Sequence, residues 1–398
     1  MTRASRTHRV FWIEEPVRAV VDELRIRRQR NILILTPRLQ NRPGRSADEG
    51  LRELLDPFLS EARVTAPILW YLTPMFLPAT RHLTASLVIY DCMDQLSGFD
   101  RAPSDLPKLE AELLRRADLV FTGGRSLFLD KRERHHSVHL FPSSVDVDHF
   151  SSARRRQADP IDQAQIGAPR LGYYGVIDER IDFPLLDEVA EAHPDWQIVL
   201  VGPIAKIKPS RIPKRPNIHR LGPKSYDELP RYLAGWDVAI MPFAHNAATK
   251  FISPTKTPEY LAGGRPVVST SIADVVNLYQ KLGLVDIGDT ATGFARAITT
   301  ALARDLEAHQ AASDRFLASN SWESTWQAMS ELVARAIVER SERTERSERT
   351  EDRTGPVLTA TGVPPTERAP LSNSRALMPH RERVALPVAA GVAGRRAS

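Results

Sequence analysis

The chain has 398 residues, a length that suggests two or three domains of about 150 residues each and excludes one small folding unit. Apolar residues make up 42% and charged residues 26%, which is typical of globular proteins and excludes a collagenous or wholly disordered chain. The formal net charge of +5 is too small to indicate a nucleic-acid-binding protein by itself.

The cysteine content and the hydropathy pattern predict a cytoplasmic protein. The single cysteine, Cys92, excludes an intrachain disulfide and a zinc site built on several cysteines, and it fits a reducing compartment. No apolar run reaches the ~18 residues of a membrane-spanning helix. The first nine residues are polar and basic, which is not typical of a secretory signal.

Short apolar runs alternate with helical patterns in the first part of the chain. Continuous runs of this length are typical of strands buried on both faces of a parallel sheet. Strands are predicted at residues 9–14, 31–36, 68–72, 86–91 and 118–122, and helices at residues 17–30, 48–62 and 106–117. This alternation predicts a doubly wound α/β domain.

A polar connector at residues 154–169 precedes a second series of the same kind. Its strands are predicted at residues 170–174, 197–201, 218–221, 238–242 and 266–270, and a helix with one apolar face follows Ser321. We therefore predict domains at residues 1–166 and 167–340, and a disordered tail at 341–398 because it has few large apolar residues. Two such domains form a cleft at the carboxyl ends of their strands, where ligands bind.

Residues 251–270, FISPTKTPEYLAGGRPVVST, contain the most informative motif. Ser253 suits a helix N-cap and Pro254 a first helical position. The free N–H groups, the helix dipole and Lys256 would bind a diphosphate, and Glu259, one turn further, would accept hydrogen bonds from ribose hydroxyls. The alternative is that Lys256 and Glu259 form an ordinary ion pair on a solvated helix face.

The pattern SPTKTPEYLAGGRPVVST resembles the GT-B nucleotide-sugar glycosyltransferases of the group 1 type, in the branch with Ser-Pro-x-Lys-x-x-Glu-Tyr-Leu-Ala. Glu259 matches the second glutamate of the family's E-x7-E motif. The first falls on Phe251, so the resemblance assigns the donor-sugar contact to Ser253, Thr255 or backbone N–H groups. It also implies a nucleotide sugar as substrate, no cofactor, no divalent metal, and retention at the anomeric carbon.

A second segment, LGYYGVIDERID at residues 171–182, resembles the first strand and glycine turn of the donor domain. The likeness places Gly175 next to a phosphate and Arg180 on the diphosphate, and Lys250 is a further candidate cation in the loop before the motif. The alternative for the glycine is a tight strand-to-helix turn. These residues, with Ser253, Thr255, Lys256 and Glu259, are the predicted donor-binding set.

Residues 90–99 and 118–128 resemble acceptor-domain segments of the same branch. The family's first βα unit is not found before residue 9, and its loss would expose a sheet edge. Asp91 and Asp94 follow a predicted strand and are candidate catalytic acids or bases, although they also suit a loop surface. A cluster of three histidines, His135, His136 and His139, fits a solvated helix end better than a metal site.

The sequence thus predicts a glycosyltransferase that moves a sugar from a nucleotide-diphosphate sugar to a glycan or lipid-linked acceptor, in cell-surface polysaccharide synthesis. Two alternatives remain open: a nucleotide-sugar epimerase on the same fold, and an inactive nucleotide-sugar-binding scaffold. No nucleic-acid partner is expected. The basic run at residues 25–30 either docks at the inner face of the cytoplasmic membrane or is a solvated helix end.

Overall fold

The structure, a computed structural model, describes residues 1–155, 157–353 and 384–388. The first sheet and its helices come mainly from the first part of the chain. Its strands are β1 (Arg9–Ile13), β2 (Val17–Ala19), β3 (Glu23–Gln29), β4 (Ile32–Gln40), β5 (Ile68–Tyr71), β6 (Leu87–Cys92), β7 (Leu119–Thr122) and β8 (Val138–Leu140). Its helices are α1 (Ala47–Glu61), α2 (Leu77–Thr80), α3 (Leu106–Arg116), α4 (Arg125–Lys131) and α5 (Val147–Ser151).

The second sheet is built from the strands that follow the connector. These are β9 (Arg170–Tyr174), β10 (Gln197–Val201), β11 (Ile218–Gly222), β12 (Val238–Met241), β13 (Val267–Ser269) and β14 (Val285–Ile287). The helices are α6 (Phe183–Ala192), α7 (Leu229–Ala234), α8 (Lys256–Ala262), α9 (Ala273–Leu278), α10 (Ala291–Leu302), α11 (Leu306–Leu317) and α12 (Trp322–Arg353). A last strand, β15 (Val384–Val388), joins the first sheet.

Both sheets are essentially parallel, as predicted for two doubly wound α/β domains. The second has the order β11-β10-β9-β12-β13-β14. The first has the order β2-β4-β1-β15-β5-β6-β7-β8, with β3 antiparallel to β4. All ten strands predicted from the sequence are present within a few residues of their expected bounds. Apolar side chains from both faces of each sheet form the cores.

The helix predicted at residues 17–30 is wrong. The segment forms strands β2 and β3, and β3 pairs with β4 over seven positions, from Glu23 opposite Arg38 to Gln29 opposite Ile32. Burial alternates along the start of β3, as it does in a strand: Leu24 packs on the core, while Glu23 and Arg25 are exposed. The valines at the start of the segment are also β-branched, which favours strands.

The tail predicted as disordered contains two regular segments among the described residues. Helix α12 continues through residue 353, and Val384–Val388 form β15 between β1 and β5. An apolar run with a valine at each end favours a strand, and its Pro387 removes only one ladder N–H group. The other tail residues lie outside the described part of the chain.

Strand β1 is not at the edge of the first sheet, because it pairs with β4 on one side and with β15 on the other, and the edge is formed by β3. Helix α12 crosses from the second domain to the first. Its Trp326 stacks on Trp70 of β5 at a ring-centroid distance of 6.1 Å, and Val333 packs in the same cluster. No helix in the described residues is long and apolar enough to span a membrane.

Candidate functional site

The candidate site lies where the carboxyl ends of β9, β10 and β12 meet a loop of the first domain. Gly175 and Arg180 follow β9, Lys206 follows β10, and the segment after β12 that ends in α8 supplies Lys256 and Glu259. Strand ends of a parallel sheet share one edge, so side chains distant in sequence come together there.

Gly175 and Lys256 fit against each other. Gly175 has a φ of +143°, a conformation that L side chains rarely adopt. A Cβ atom at this position would lie 2.2 Å from Cε and 2.8 Å from Nζ of Lys256. The missing side chain therefore provides the space in which the Lys256 ammonium group lies, 5.8 Å from the ring centroid of Tyr173.

Helix α8 begins later than predicted. Its first residue is Lys256, and the residue at the N-cap position, Thr255, has helical dihedral angles and makes no side-chain capping bond. Ser253 and Pro254 are therefore not the N-cap and the first helical residue; Ser253 instead lies next to Gly124 of the first domain. With only seven residues, the helix contributes a weak dipole, and the positive charge of the site must come from side chains.

Arg180 is held by a carboxylate two residues before it. Its guanidinium donates to both oxygens of Asp178, with Nη2 2.7 Å from Oδ2 and Nε 2.9 Å from Oδ1. Burial acts to lower the pKa of Arg180, but the hydrogen bonds and charge of Asp178 outweigh it and raise that pKa. The group is therefore a fixed, fully charged cation.

Three cations act on the charge of the Asp94 carboxylate. Burial raises the pKa of Asp94, while Arg180, Lys256 and Lys206 act in the opposite direction. For Lys256 burial lowers the pKa, an effect opposed mainly by Glu259. A buried ammonium group with a lowered pKa gains from an added anion, because the anion stabilises its charged form. Because Arg180 is paired with Asp178 and Lys206 with Glu179 at 3.5 Å, an anionic ligand would act chiefly on Lys256.

The loop that follows β6 covers this cluster from the first domain. Its Phe99 ring lies 4.4 Å from Nζ of Lys206 and 5.5 Å from Cζ of Arg180, both distances taken to the ring centroid. The N–H of Asp100 donates to Glu179 at 3.3 Å. A Cβ atom on Gly98 would lie 2.6 Å from the carbonyl oxygen of Ala247, so the two domains approach closely here.

Glu259 faces a second part of the cleft, lined by aromatic rings. Burial raises its pKa, and Lys256 opposes that shift. The hydroxyl of Tyr174, a residue that is 3% exposed, lies beside the Glu259 carboxylate and acts to lower the pKa of Glu259. Tyr226 also lies near, and it stacks on His149 at 4.3 Å. A buried carboxylate beside a phenol hydroxyl is suited to a ligand that carries hydroxyl groups.

Two predicted residues lie elsewhere. Asp91 is in β6 and points away from the cations, where it accepts a hydrogen bond from the Trp70 indole at 3.0 Å under helix α12. Lys250 is exposed, with its Nζ 5.1 Å from the Phe251 ring centroid, and it lines a separate surface pocket of about 310 Å³ with His245 and Asn246. Neither joins the Lys256 cluster.

The position of Asp91 gives a testable pH dependence. Burial raises its pKa to about 6 from an ordinary 3.8, so the contribution of Asp91 to stability is most favourable below about pH 4 and falls as pH rises through 4 to 6. Asp91→Asn keeps an acceptor for Trp70 and cannot ionise. We expect this variant to be more stable than the wild type at pH 8 by about 3 kcal/mol, and within about 1 kcal/mol of it near pH 4. Urea unfolding at the two pH values measures the difference, and equal stabilities at pH 8 would contradict the burial argument.

The histidine cluster is structural. His135 contacts the carbonyl oxygen of Ala117 at 3.0 Å and His139 the hydroxyl of Ser137 at 3.1 Å. Among the described residues, no group of three or more histidine, cysteine or acidic side chains is placed to hold a metal ion.

Phe251, at the position of the family's first glutamate, packs on the core of the first domain. Nearby, Asp274 of α9 accepts hydrogen bonds from the backbone N–H and the hydroxyl of Ser126 at the start of α4. The segment before α8 thus joins the two domains instead of presenting a carboxylate to the cleft.

Sequence reasoning missed Lys206, Phe99 and Tyr174. Lys206 follows the end of β10, next to β9 in the sheet, so the strand-end rule could have found it. Its φ of +62° is rare for a lysine and is typical of functional loops. Phe99 and Tyr174 carry no signal in the sequence, because the first acts through a contact between the domains and the second through its position beside Glu259.

Known proteins with similar sequences were found for part of the chain. Residues 169–304 match the family described as glycosyl transferases group 1. The chain is 29% identical over 250 residues to the putative teichuronic acid biosynthesis glycosyltransferase TuaH of Bacillus subtilis (strain 168). The match covers 58% of this chain, and it spans 63% of the length of that relative.

Solved structures match over most of the chain. The sucrose-phosphate synthase of Thermosynechococcus elongatus has a TM-score of 0.64 at 16% identity, covering 84% of this chain and 91% of its own. HepE of Anabaena, in complex with UDP and glucose, has a TM-score of 0.58 at 15% identity, with coverages of 82% and 99%. At these identities the likeness concerns the fold. That fold is the GT-B fold, and the match to the glycosyl transferases group 1 model covers residues 169–304, in the second domain.

Proposed function

We propose that the protein is a glycosyltransferase that transfers a sugar from a nucleotide-diphosphate sugar to a hydroxyl of a glycan or lipid-linked acceptor. The observation that carries the proposal is the cation cluster of Lys256, Arg180 and Lys206, with Glu259 one helical turn from Lys256. The cluster supplies charge for a diphosphate, and Glu259 supplies an acceptor for hydroxyl groups. A diphosphate and ribose hydroxyl groups occur together in one nucleotide diphosphate.

In this reaction the bond between the anomeric carbon and the diphosphate oxygen breaks, and negative charge develops on that oxygen. Lys256, which is buried, and Arg180, over which the Phe99 ring lies, would stabilise this charge. The acceptor oxygen forms the new bond, and its proton leaves to a base. We assign that base to Asp94, whose raised pKa favours accepting a proton. Asp91, on the other face of the sheet, takes no part.

The side-chain cations account for charge neutralisation without a divalent metal, and we propose that none is required. Transfer should therefore persist in the presence of a chelator. Loss of activity with EDTA and its recovery with Mg²⁺ would contradict this proposal.

The name of one relative supports a proposal on the acceptor class and the location. That protein is named as a teichuronic acid biosynthesis glycosyltransferase. We propose a cell-surface polysaccharide as the product class, and a location in the cytoplasm, at the inner face of the membrane. Neither the family match nor the relative favours an epimerase.

Nucleotide release from UDP-, GDP- and ADP-sugars, measured with and without a glycan or lipid-linked acceptor, tests the activity. We expect release from one donor to increase when an acceptor is added. Isomerisation of the sugar without acceptor would indicate an epimerase. Tight nucleotide binding without either reaction would indicate a binding scaffold.

We expect Glu259→Ala to weaken nucleotide binding by a factor of about 10–100, because a buried carboxylate that bonds a ligand hydroxyl contributes about 1.5–3 kcal/mol. Titration calorimetry with UDP, GDP and ADP measures the change. Glu188→Ala, on the exposed side of α6, is the matched control and should bind like the wild type. Equal affinities of the Glu259 variant and this control would remove the ribose role.

A further inference from the structure

The edge of the first sheet carries exposed apolar and basic side chains together. We call residues 17–30, which form β2, its connection and β3, the β2–β3 surface. Exposed fractions are 84% for Val20, 61% for Val21, 52% for Ile26 and 49% for Val17. Exposed β-branched side chains at such a density are unusual for a protein surface that contacts only water.

The same surface is strongly basic. It contains five arginines, Arg18, Arg25, Arg27, Arg28 and Arg30, all exposed. Of its two acidic residues, Asp22 is turned inward, where it binds Arg45 at 2.8 Å and the N–H of Gln40 at 2.7 Å. Glu23 remains at the surface and pairs with Arg25 at 3.2 Å. The charge presented to a partner is therefore clearly positive.

The position of this surface follows from the sheet topology. Strand β3 pairs with β4 alone among the described strands, so it forms the edge. Val20 and Val21 lie in the connection beside the carboxyl end of β4, where Ala19 pairs with Gln40. Strand β4 runs parallel to β1, and β15, β5 and β6 run in the same direction. The carboxyl ends of these strands therefore lie on one side of the domain, and both the two valines and the Phe99 loop lie on that side.

We infer that the β2–β3 surface binds the anionic surface of a lipid bilayer, with Val20 and Val21 inserted among the acyl chains and the arginines on the lipid phosphates. The combination decides the partner. Arginines alone would suit any polyanion, but exposed valines at the tip gain nothing from a nucleic acid or a free polyanion and do gain from a membrane interface. The inference rests on the proposed function, in which a lipid-linked acceptor reaches the cleft from the bilayer.

Co-sedimentation of the full chain with vesicles tests the inference. We expect binding to phosphatidylcholine vesicles that contain phosphatidylglycerol, weaker binding as salt is raised, and little binding to phosphatidylcholine alone. The triple variant Arg25→Gln, Arg27→Gln, Arg28→Gln should lower the partition coefficient by about a hundredfold, at about 1 kcal/mol per arginine. Its matched control is Arg231→Gln, Arg296→Gln, Arg315→Gln, with the same charge change on exposed positions of the second domain.

The contribution of the exposed valines to membrane binding is tested with a separate variant. Val20→Asp with Val21→Asp should reduce binding at low and at high salt, whereas Ile161→Asp, at a 90% exposed position in the connector, should not. Equal binding to vesicles with and without phosphatidylglycerol would overturn the inference. So would equal losses in the arginine variant and its control, or retained vesicle binding by the valine variant.

These measurements are independent of the proposed activity, since vesicle binding needs neither donor nor turnover. A chain that binds vesicles but transfers no sugar would contradict the proposed function alone. If the protein transfers sugar to a water-soluble acceptor but does not bind anionic vesicles, the result contradicts the membrane-binding inference and leaves the proposed function in place.

Discussion

Replacing Lys256 with methionine should lower the rate of sugar transfer by a factor of about 10²–10³, the usual cost of removing one group that stabilises transition-state charge. Methionine has a similar length and no charge, so it fills the space above Gly175 without a donor for the diphosphate. The free energy of unfolding should change far less, because the cost of burying an ammonium group disappears along with its attraction to Glu259.

Nucleotide release at saturating donor measures the rate, and thermal unfolding measures stability. Lys281→Met is the control, since Lys281 is exposed and bonds only Asn277 among the described contacts. A Lys256→Met enzyme that turned over as fast as the control would remove Lys256 from the mechanism.

The largest effect on stability is expected from Gly172→Val in the central strand β9. A Cβ atom at this position would lie 1.8 Å from the indole of Trp236, a side chain that is 1% exposed and donates to Gln163 at 3.0 Å. Strand β9 pairs with β10 and β12, so its backbone cannot move away. We expect a loss of about 3 kcal/mol or more, and a fall in the melting temperature of roughly 6–12 °C.

The matched control for this substitution is Gly167→Ala. No atom lies within 4 Å of the Cβ position there, so the added methyl group meets open space. This control should unfold within about 0.5 kcal/mol of the wild type. If Gly172→Val unfolded at the same temperature as the control, the packing of Trp236 against β9 would be wrong.

The strands could be predicted because each is a short, continuous apolar run, and a parallel sheet buries both faces of its strands. Residues 17–30 could not, because the same arginines and valines fit a helix with a polar face and an edge strand with an exposed face. Only the pairing of β3 with β4 decides between them, and pairing is a long-range property that the local pattern does not contain.

The site was predictable where the chain itself fixes the geometry. Lys256 and Glu259 are one helical turn apart in α8, and Gly175 and Arg180 follow a strand end, so the structure brings Arg180, Lys256 and Glu259 to one cleft. Asp91 and Asp94 were equivalent in the sequence, yet Asp91 is still in β6 and faces the Trp70 side, whereas Asp94 lies past the strand end. The end of β6 at Cys92 separates the two, and its position was not fixed by the local sequence.

The placement of β15 has a consequence for how the chain folds. Val10 pairs with Ala385, so the middle of the first sheet joins segments that are far apart in sequence. Until residues 384–388 have been synthesised, β1 and β5 have no strand between them, and the first sheet cannot complete its pairing. The strands of the second sheet all come from residues 170–287, so their pairing does not depend on that late segment.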